Sequence, residues 1–212
     1  MSPFAAGCLL TGIALAGLLA AEWRESRAGI WLAKPLASLG FLVAALGAGA
    51  LDDGAGAYGR WVFAALVLSF LGDVLLIPPA TFLAGLVSFL LGHVAFAVAF
   101  GVRGIDPIWA AGSLPFAAVA VAGALRWLRP HVEPAMRMPV QAYVAVISAM
   151  VIAAVGAVGA GGPVAIALGA LCFYVSDLAV ARQRFVARTF WNKTWGLPLY
   201  YGAQLILAST VG

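Results

Sequence analysis

Apolar residues along this chain fall into long, nearly unbroken runs. They follow neither the two-residue alternation of a half-buried strand nor the one-sided stripe of a water-facing helix. Eight runs approach the about 20 residues that a membrane-crossing helix needs: Phe4–Ala21, Ile30–Ala50, Tyr58–Ile77, Thr81–Gly101, Pro107–Leu128, Pro139–Gly159, Pro163–Ala181 and Thr194–Val211. Turn-forming clusters separate them, among them Asp52-Asp53-Gly54, Pro78-Pro79, Asp106-Pro107 and Gly161-Gly162-Pro163. Pro107, Pro139 and Pro163 are expected in first helical turns, where a missing N–H costs least. The pattern predicts an all-α membrane protein with eight transmembrane helices. It forms a single transmembrane domain over residues 1–212, because no loop is long enough to make another. Met1-Ser2-Pro3 contains no Lys or Arg, so the first run reads as a helix and not as a secretory signal.

Composition supports the same class. Hydrophobic residues make up 64% of the chain and charged residues 9%, against roughly 25% charged in a soluble domain. That excludes a water-soluble globular domain, a disordered chain and a disulfide-stapled module. Cys8 and Cys172 both lie inside apolar runs and read as packing residues. The net charge of +4 is distributed unevenly. If the eight spans alternate in direction, one face receives Arg24, Arg27, Lys34, Arg126, Arg129, Arg137, Arg182, Arg184, Arg188 and Lys193, and the other only Arg60 and Arg103. This bias puts the first face in the cytoplasm and both termini outside it. The expected setting is a bacterial inner membrane. The basic charge then serves topology and anionic headgroups, so membrane lipids are the expected partners and nucleic acid is not. Nothing in the sequence speaks to an oligomeric state.

An internal repeat is also expected. Asp73 and Asp177 are 104 residues apart, as are Pro35 and Pro139. Gly85-Leu86-x-x-Phe89-x-x-x-His93 reappears 111 residues later as Gly196-Leu197-x-x-Tyr200-x-x-x-Gln204. Two parallel four-helix repeats, 1–104 and 105–212, would be related by a two-fold axis along the membrane normal. Such an axis brings two carboxylates toward one central site.

A charge inside a membrane costs at least about 2.5–3.5 kcal/mol, so its position carries information. Asp73 and Asp177 each lie four residues from the predicted end of a span, roughly 6 Å deep at 1.5 Å per residue. Lys34 and Tyr143 stand about one turn inside their helices. Ser69, Ser88, Tyr174, Ser176, Tyr200, Tyr201 and Gln204 occupy the same half of the bilayer, with His93 deeper. The opposite half is almost free of ionisable groups. Ser69 and Asp73, Tyr174 and Asp177, and Tyr200 and Gln204 are each spaced to share a helix face. Taken singly, each has a plainer use: an Asp near a helix end can pair with an Arg, Lys34 can snorkel, and hydroxyls can join helices. Taken together, they predict one polar cavity opening toward the cytoplasmic leaflet.

Two carboxylates in a semi-apolar cavity cannot both ionise cheaply. A shared proton leaves an acid beside a base. The pair suits acid-initiated hydrolysis of an acetal, epoxide or enol ether. No Gly-x-Ser-x-Gly elbow supports a serine hydrolase. Asp73, Asp177 and His93 offer at most a sparse metal set, and no phosphate loop or dinucleotide fingerprint is present, so neither metal nor cofactor is expected. Rival readings are a small lipid or metabolite transporter, a hydrolase of a different ether, epoxide or ester lipid, and a non-catalytic scaffold.

Lys34-Pro35-Leu36, Ser69-Phe70-Leu71-Gly72-Asp73, Phe82-x-x-Gly85-Leu86-x-Ser88-Phe89-x-x-Gly92-His93, Gly169-Ala170-Leu171-Cys172-Phe173-x-x-Ser176-Asp177 and Tyr200-Tyr201-x-x-Gln204 occur in order along most of the chain. In this ordered set the chain resembles the YhhN-like lysoplasmalogenase family of multi-pass membrane proteins. Tyr174-Val175 stands in a stretch where that family varies. The resemblance implies an ether hydrolase that cleaves the vinyl-ether bond of a lysophospholipid, a lysoplasmalogen. The products are a fatty aldehyde and glycerophosphoethanolamine or glycerophosphocholine. It also implies Asp73 and Asp177 as the catalytic residues. Lys34, Ser69, Ser88, His93, Tyr143, Tyr174, Ser176, Tyr200, Tyr201 and Gln204 are then the expected substrate-binding set. Lys34 with Arg182, Arg184 and Arg188 would meet the phosphate, and His93 and Gln204 would orient water or a glycerol hydroxyl.

Overall fold

The computed structural model describes residues 1–212, all helix and connecting turns, with no strand. Eight α-helices run in order: α1 (Pro3–Trp23), α2 (Arg27–Gly47), α3 (Gly56–Leu75), α4 (Phe82–Arg103), α5 (Pro107–Leu128), α6 (Pro134–Gly159), α7 (Ala165–Ala181) and α8 (Phe190–Ala208). Seven segments, covering α1 to α7, are long and apolar enough to cross a membrane. The eighth helix carries Asn192, Lys193, Thr194, two tyrosines and Gln204, which lower its hydropathy. It packs among α1, α2, α3 and α7. The chain is an integral membrane protein.

Local chemistry sets the helix starts. Ser2 and Ser26 cap α1 and α2 by accepting from Ala5 and Gly29 N–H, and Asp106 accepts from both Ile108 and Trp109 N–H at α5. Two proline placements differ from expectation. Helix α6 begins at Pro134, so Pro139 lies inside it, past the first turn. Helix α7 begins at Ala165, so Pro163 lies ahead of it and accepts from Ile166 N–H at 3.0 Å. Pro134 is itself an adequate helix start, and hydropathy alone does not separate the two prolines. Helix α8 also starts and stops a turn earlier than the apolar run, because its first turn is polar. After α7 the backbone continues through a π-turn, Arg182–Val186, closed by Ala187 N–H on the Arg182 carbonyl at 2.8 Å.

Sequential helices pack as antiparallel pairs, α1 with α2, α3 with α4, α5 with α6 and α7 with α8. Contacts of α2 with α3 and α8, and of α6 with α4 and α7, close the bundle. Helix α5 packs chiefly on α6 and is the least buried span. The outer surface is apolar: Phe116 is 80% exposed and Ile108 79%. The interior holds aromatic rings of Phe41, Phe96, Phe100 and Phe173 together with Ser38, Asp73, His93, Ser176 and Gln204. Apolar side chains outside and polar groups gathered inside are the arrangement that lipid solvation requires.

Candidate active site

Asp73 sits in the last turn of α3, 3% exposed. Every contact to its carboxylate is a donor from another helix. From α2, Lys34 Nζ is 3.2 Å from Oδ1 and Ser38 Oγ donates to Oδ2 at 2.7 Å. From α8, the Tyr200 hydroxyl donates to Oδ2 at 2.6 Å. Lys34 and Ser38 are four residues apart and so share a face of α2. Tyr201 stands behind them, its hydroxyl 3.3 Å from both Ser38 Oγ and the Lys34 carbonyl oxygen. A serine has one proton to give, and the shorter contact to Asp73 takes it, which leaves Tyr201 to donate to Ser38 or to the carbonyl.

Asp177, in α7, has a different set. The Tyr143 hydroxyl of α6 donates to Oδ2 at 2.8 Å, and His93 Nε2 of α4 lies 3.4 Å from the same oxygen. The other ring nitrogen of His93, Nδ1, is 2.6 Å from the Phe89 carbonyl oxygen. The imidazole is fully buried, with its ring centroid 4.3 Å from that of Phe173.

The two networks meet through aromatic rings. Phe173 touches His93 on one side of the site and Tyr200 on the other, the latter at 5.5 Å between centroids. Phe89 packs edge-on against both Phe173 and Tyr200. Gly72 makes room for this ring: a Cβ there would stand 2.6 Å from Phe89 Cδ2. The carboxylates therefore do not share a proton directly, contrary to the sequence expectation. Each is engaged by its own donors, and no hydrogen bond joins them.

Both aspartates nevertheless line one cavity of about 430 Å³, together with Lys34, Tyr143, Tyr174, Ser176 and Tyr200. It opens at the end of the bundle where the π-turn carries Arg184, which lies over the Phe82 ring at 4.3 Å. Arg188 and Lys193 also line it, and Lys193 Nζ pairs with Glu22 at 3.2 Å. The site thus has a carboxylate floor, an aromatic and aliphatic wall and a basic rim. It can bind an anionic headgroup above two groups able to exchange protons.

Several expected site residues stand elsewhere. Ser69 is sealed between α3 and α4 without a hydrogen-bond partner, and Ser88 Oγ donates to the Leu68 carbonyl at 2.7 Å. Both serve the α3–α4 contact, because the α3 surface that carries Ser69 meets α4 near Gly92. Tyr201 and Gln204 are buried behind the cavity, and His93 backs Asp177 without lining it. Ser176 Oγ donates to the Phe173 carbonyl of its own helix at 2.7 Å. The Tyr174 hydroxyl is buried and unpartnered, and the residue also lines an apolar groove between α5 and α6. Of the cations expected on a phosphate, Lys34 is committed to Asp73. Arg182 binds Asn192 Oδ1 and so pins the π-turn to α8. No three His, Cys, Asp or Glu side chains converge, so the sparse metal set does not form.

Ser38, Phe89, Phe173 and Lys193 were missed. The i,i+4 spacing of Ser38 from Lys34 was a usable signal; the rings look like ordinary core in any apolar helix.

The profile of the YhhN family matches residues 29–211. Human lysoplasmalogenase TMEM86B is 32% identical over 152 residues, covering 72% of this chain and 63% of the human protein. A lysoplasmalogenase from Mycobacterium tuberculosis (strain CDC 1551 / Oshkosh) is 33% identical over 171 residues, covering 76% and 64%. Lysoplasmalogenase TMEM86A of Bos taurus is 32% identical over 156 residues, covering 69% and 63%. The chain therefore aligns with a little under two thirds of the length of these relatives. No solved structure matches it. The profile match runs from the first turn of α2 past the end of α8 and takes in both aspartate networks: the chain belongs to the YhhN family.

Proposed function

We propose that this protein hydrolyses the vinyl-ether bond of lysoplasmalogens, yielding a fatty aldehyde and a glycerophosphoethanolamine or glycerophosphocholine. The observation that carries the reading is the pair of aspartates on one basic-rimmed cavity inside a lipid-facing bundle, in a chain similar to lysoplasmalogenases. A vinyl ether is cleaved by protonation of its β-carbon, which gives an oxocarbenium-like cation. Water adds to that cation, and the hemiacetal collapses. One aspartate supplies the proton and the other activates water. Arg184, Arg188 and Lys193 meet the phosphate, while the hydrocarbon chain enters between helices. The substrate already lies in the leaflet, so a cavity open to it shortens the path.

In this reading residues 1–212 form one domain of eight spans, built as two parallel four-helix repeats. The helix neighbours support the repeat: α1–α2, α2–α3, α3–α4 and α2–α8 have the counterparts α5–α6, α6–α7, α7–α8 and α6–α4. So does the wiring. Each aspartate is engaged from the helix before it, Asp73 by Lys34 and Ser38 and Asp177 by Tyr143, and takes one group from the other half, Tyr200 for Asp73 and His93 for Asp177. The basic rim faces the cytoplasm by the charge bias, which puts both termini on the opposite side.

The test is aldehyde release from lysoplasmenylethanolamine by the purified protein, with Asp73→Asn and Asp177→Asn beside it. Each variant is expected to lose about 100-fold or more, the usual worth of a general acid or base. A wild type active only on another lipid overturns the substrate. Two fully active variants overturn the carboxylate chemistry.

A further inference from the structure

We infer that the two aspartates have fixed and different tasks: Asp177, backed by His93, carries the proton delivered to the substrate, and Asp73, clamped by Lys34, Ser38 and Tyr200, is the carboxylate that activates water. The assignment rests on the vinyl-ether reading above.

The argument counts protons. Lys34 is an ammonium with donors only, and its side chain is 12% exposed. A protonated Asp73 would leave that largely buried cation without a counter-charge, which the low-dielectric interior opposes. Ser38 and Tyr200 both aim their hydroxyls at Oδ2 of the same carboxylate. Asp73 is thereby built as an anion.

No Lys or Arg stands against the Asp177 carboxylate. Its second partner is an imidazole whose tautomer follows from the other nitrogen. A carbonyl oxygen only accepts, so His93 Nδ1, 2.6 Å from the Phe89 carbonyl, bears a hydrogen. Nε2 then faces Asp177 Oδ2 at 3.4 Å. A bare nitrogen and an ionised carboxylate oxygen would repel, and Nε2 is buried without a hydrogen-bond partner, so the pair is assigned one further proton. His93 is fully buried behind Asp177, whereas Asp177 lines the cavity. The proton reaches substrate through Asp177, and His93 acts as a positioning residue that stores it.

The steps balance. The O–H bond of Asp177 breaks as the β-carbon gains a C–H bond and the α-carbon becomes the cation. Water adds to the α-carbon as Asp73 takes its proton. The hemiacetal then gives its hydroxyl proton to Asp177 while Asp73 returns a proton to the departing glycerol oxygen. The C–O bond breaks, the aldehyde and alcohol leave, and both groups are reset.

The experiment is turnover in deuterium oxide with isotope analysis of the recovered, uncleaved vinyl ether. Asp73→Asn keeps the donor but loses the water activator, so the cation returns its proton to Asp177. Deuterium is expected at the β-carbon at least tenfold above the level with Asp177→Asn, and the double variant Lys34→Met/Asp73→Asn, which buries no unpaired cation, behaves alike. Exchange with Asp177→Asn alone, or with none of the three variants, overturns the assignment. His93→Asn, which keeps a donor for the Phe89 carbonyl, lowers kcat about tenfold at unchanged KM; an unchanged kcat overturns the role of His93. A wild type that releases no aldehyde overturns the activity itself. Nitrogen-15 spectra of the unlipidated protein carrying His131→Gln, whose single remaining imidazole is His93, test the proton separately. A protonated Nδ1 supports the assignment and a bare Nδ1 overturns it.

Discussion

Asp73 accepts from Lys34, Ser38 and Tyr200, and each donor can be removed almost isosterically. Ser38→Ala and Tyr200→Phe keep the packing and delete one hydrogen bond to a charged group, worth about 1.5–3 kcal/mol. Each is expected to lower kcat/KM for lysoplasmalogen by about 10- to 100-fold, measured as aldehyde release. Ser69→Ala and Ser88→Ala, at hydroxyls that never reach the cavity, are expected to stay within about threefold of wild type. Ser38 and Ser69 look alike in the sequence, each four residues from a charged side chain. What separates them is the rotation of α2 and α3 about their axes, which the neighbouring helices decide. An apolar run all round a helix leaves that rotation without a local signature.

At the scale of elements, α3 and α4 depend on a missing side chain. Gly72 lets Phe89 lie against α3 and hold the edge-on contacts with Phe173 and Tyr200. Gly72→Val would push that ring out of its stack, and overpacking of this kind costs about 1–3 kcal/mol. Thermal unfolding in detergent is expected to come earlier, and aldehyde release to fall with it. Gly12→Val, on a lipid-facing surface with no atom within 4 Å of the added carbon, is the control expected to change neither. The π-turn after α7 belongs to the same scale. It places Arg184 over Phe82 and frees Arg182 to bind Asn192, so two arginines close in sequence acquire different tasks. Their spacing suggested one shared task, because a π-turn leaves no mark that a charge pattern shows.

For the whole molecule, the basic rim and the site lie at one end of the bundle. Arg103 packs over Tyr58 at the other, 4.9 Å from its ring centroid. Single cysteines, introduced after Cys8 and Cys172 are replaced by Ala, test the orientation with an impermeant thiol reagent on intact cells. A cysteine at Asp53 is expected to label from outside and one at His131 only after the membrane is broken. Labelling of the position-131 variant from outside would reverse the bundle and move the site to the other leaflet.

Helix number and class, residence in a membrane and the meeting of both aspartates on one cavity were legible from the chain alone. Run length and the cost of burying a charge are properties of a few consecutive residues, and no partner is needed to read them. The contacts of Ser38, Lys34, Tyr200 and His93, the separate donors of the two carboxylates and the absence of Ser69, Ser88 and Gln204 from the cavity lining came only with the folded bundle. Asp73 meets a hydroxyl 35 residues before it and another 127 residues after it. Such meetings depend on which helix faces share an interior, and packing among distant segments settles that.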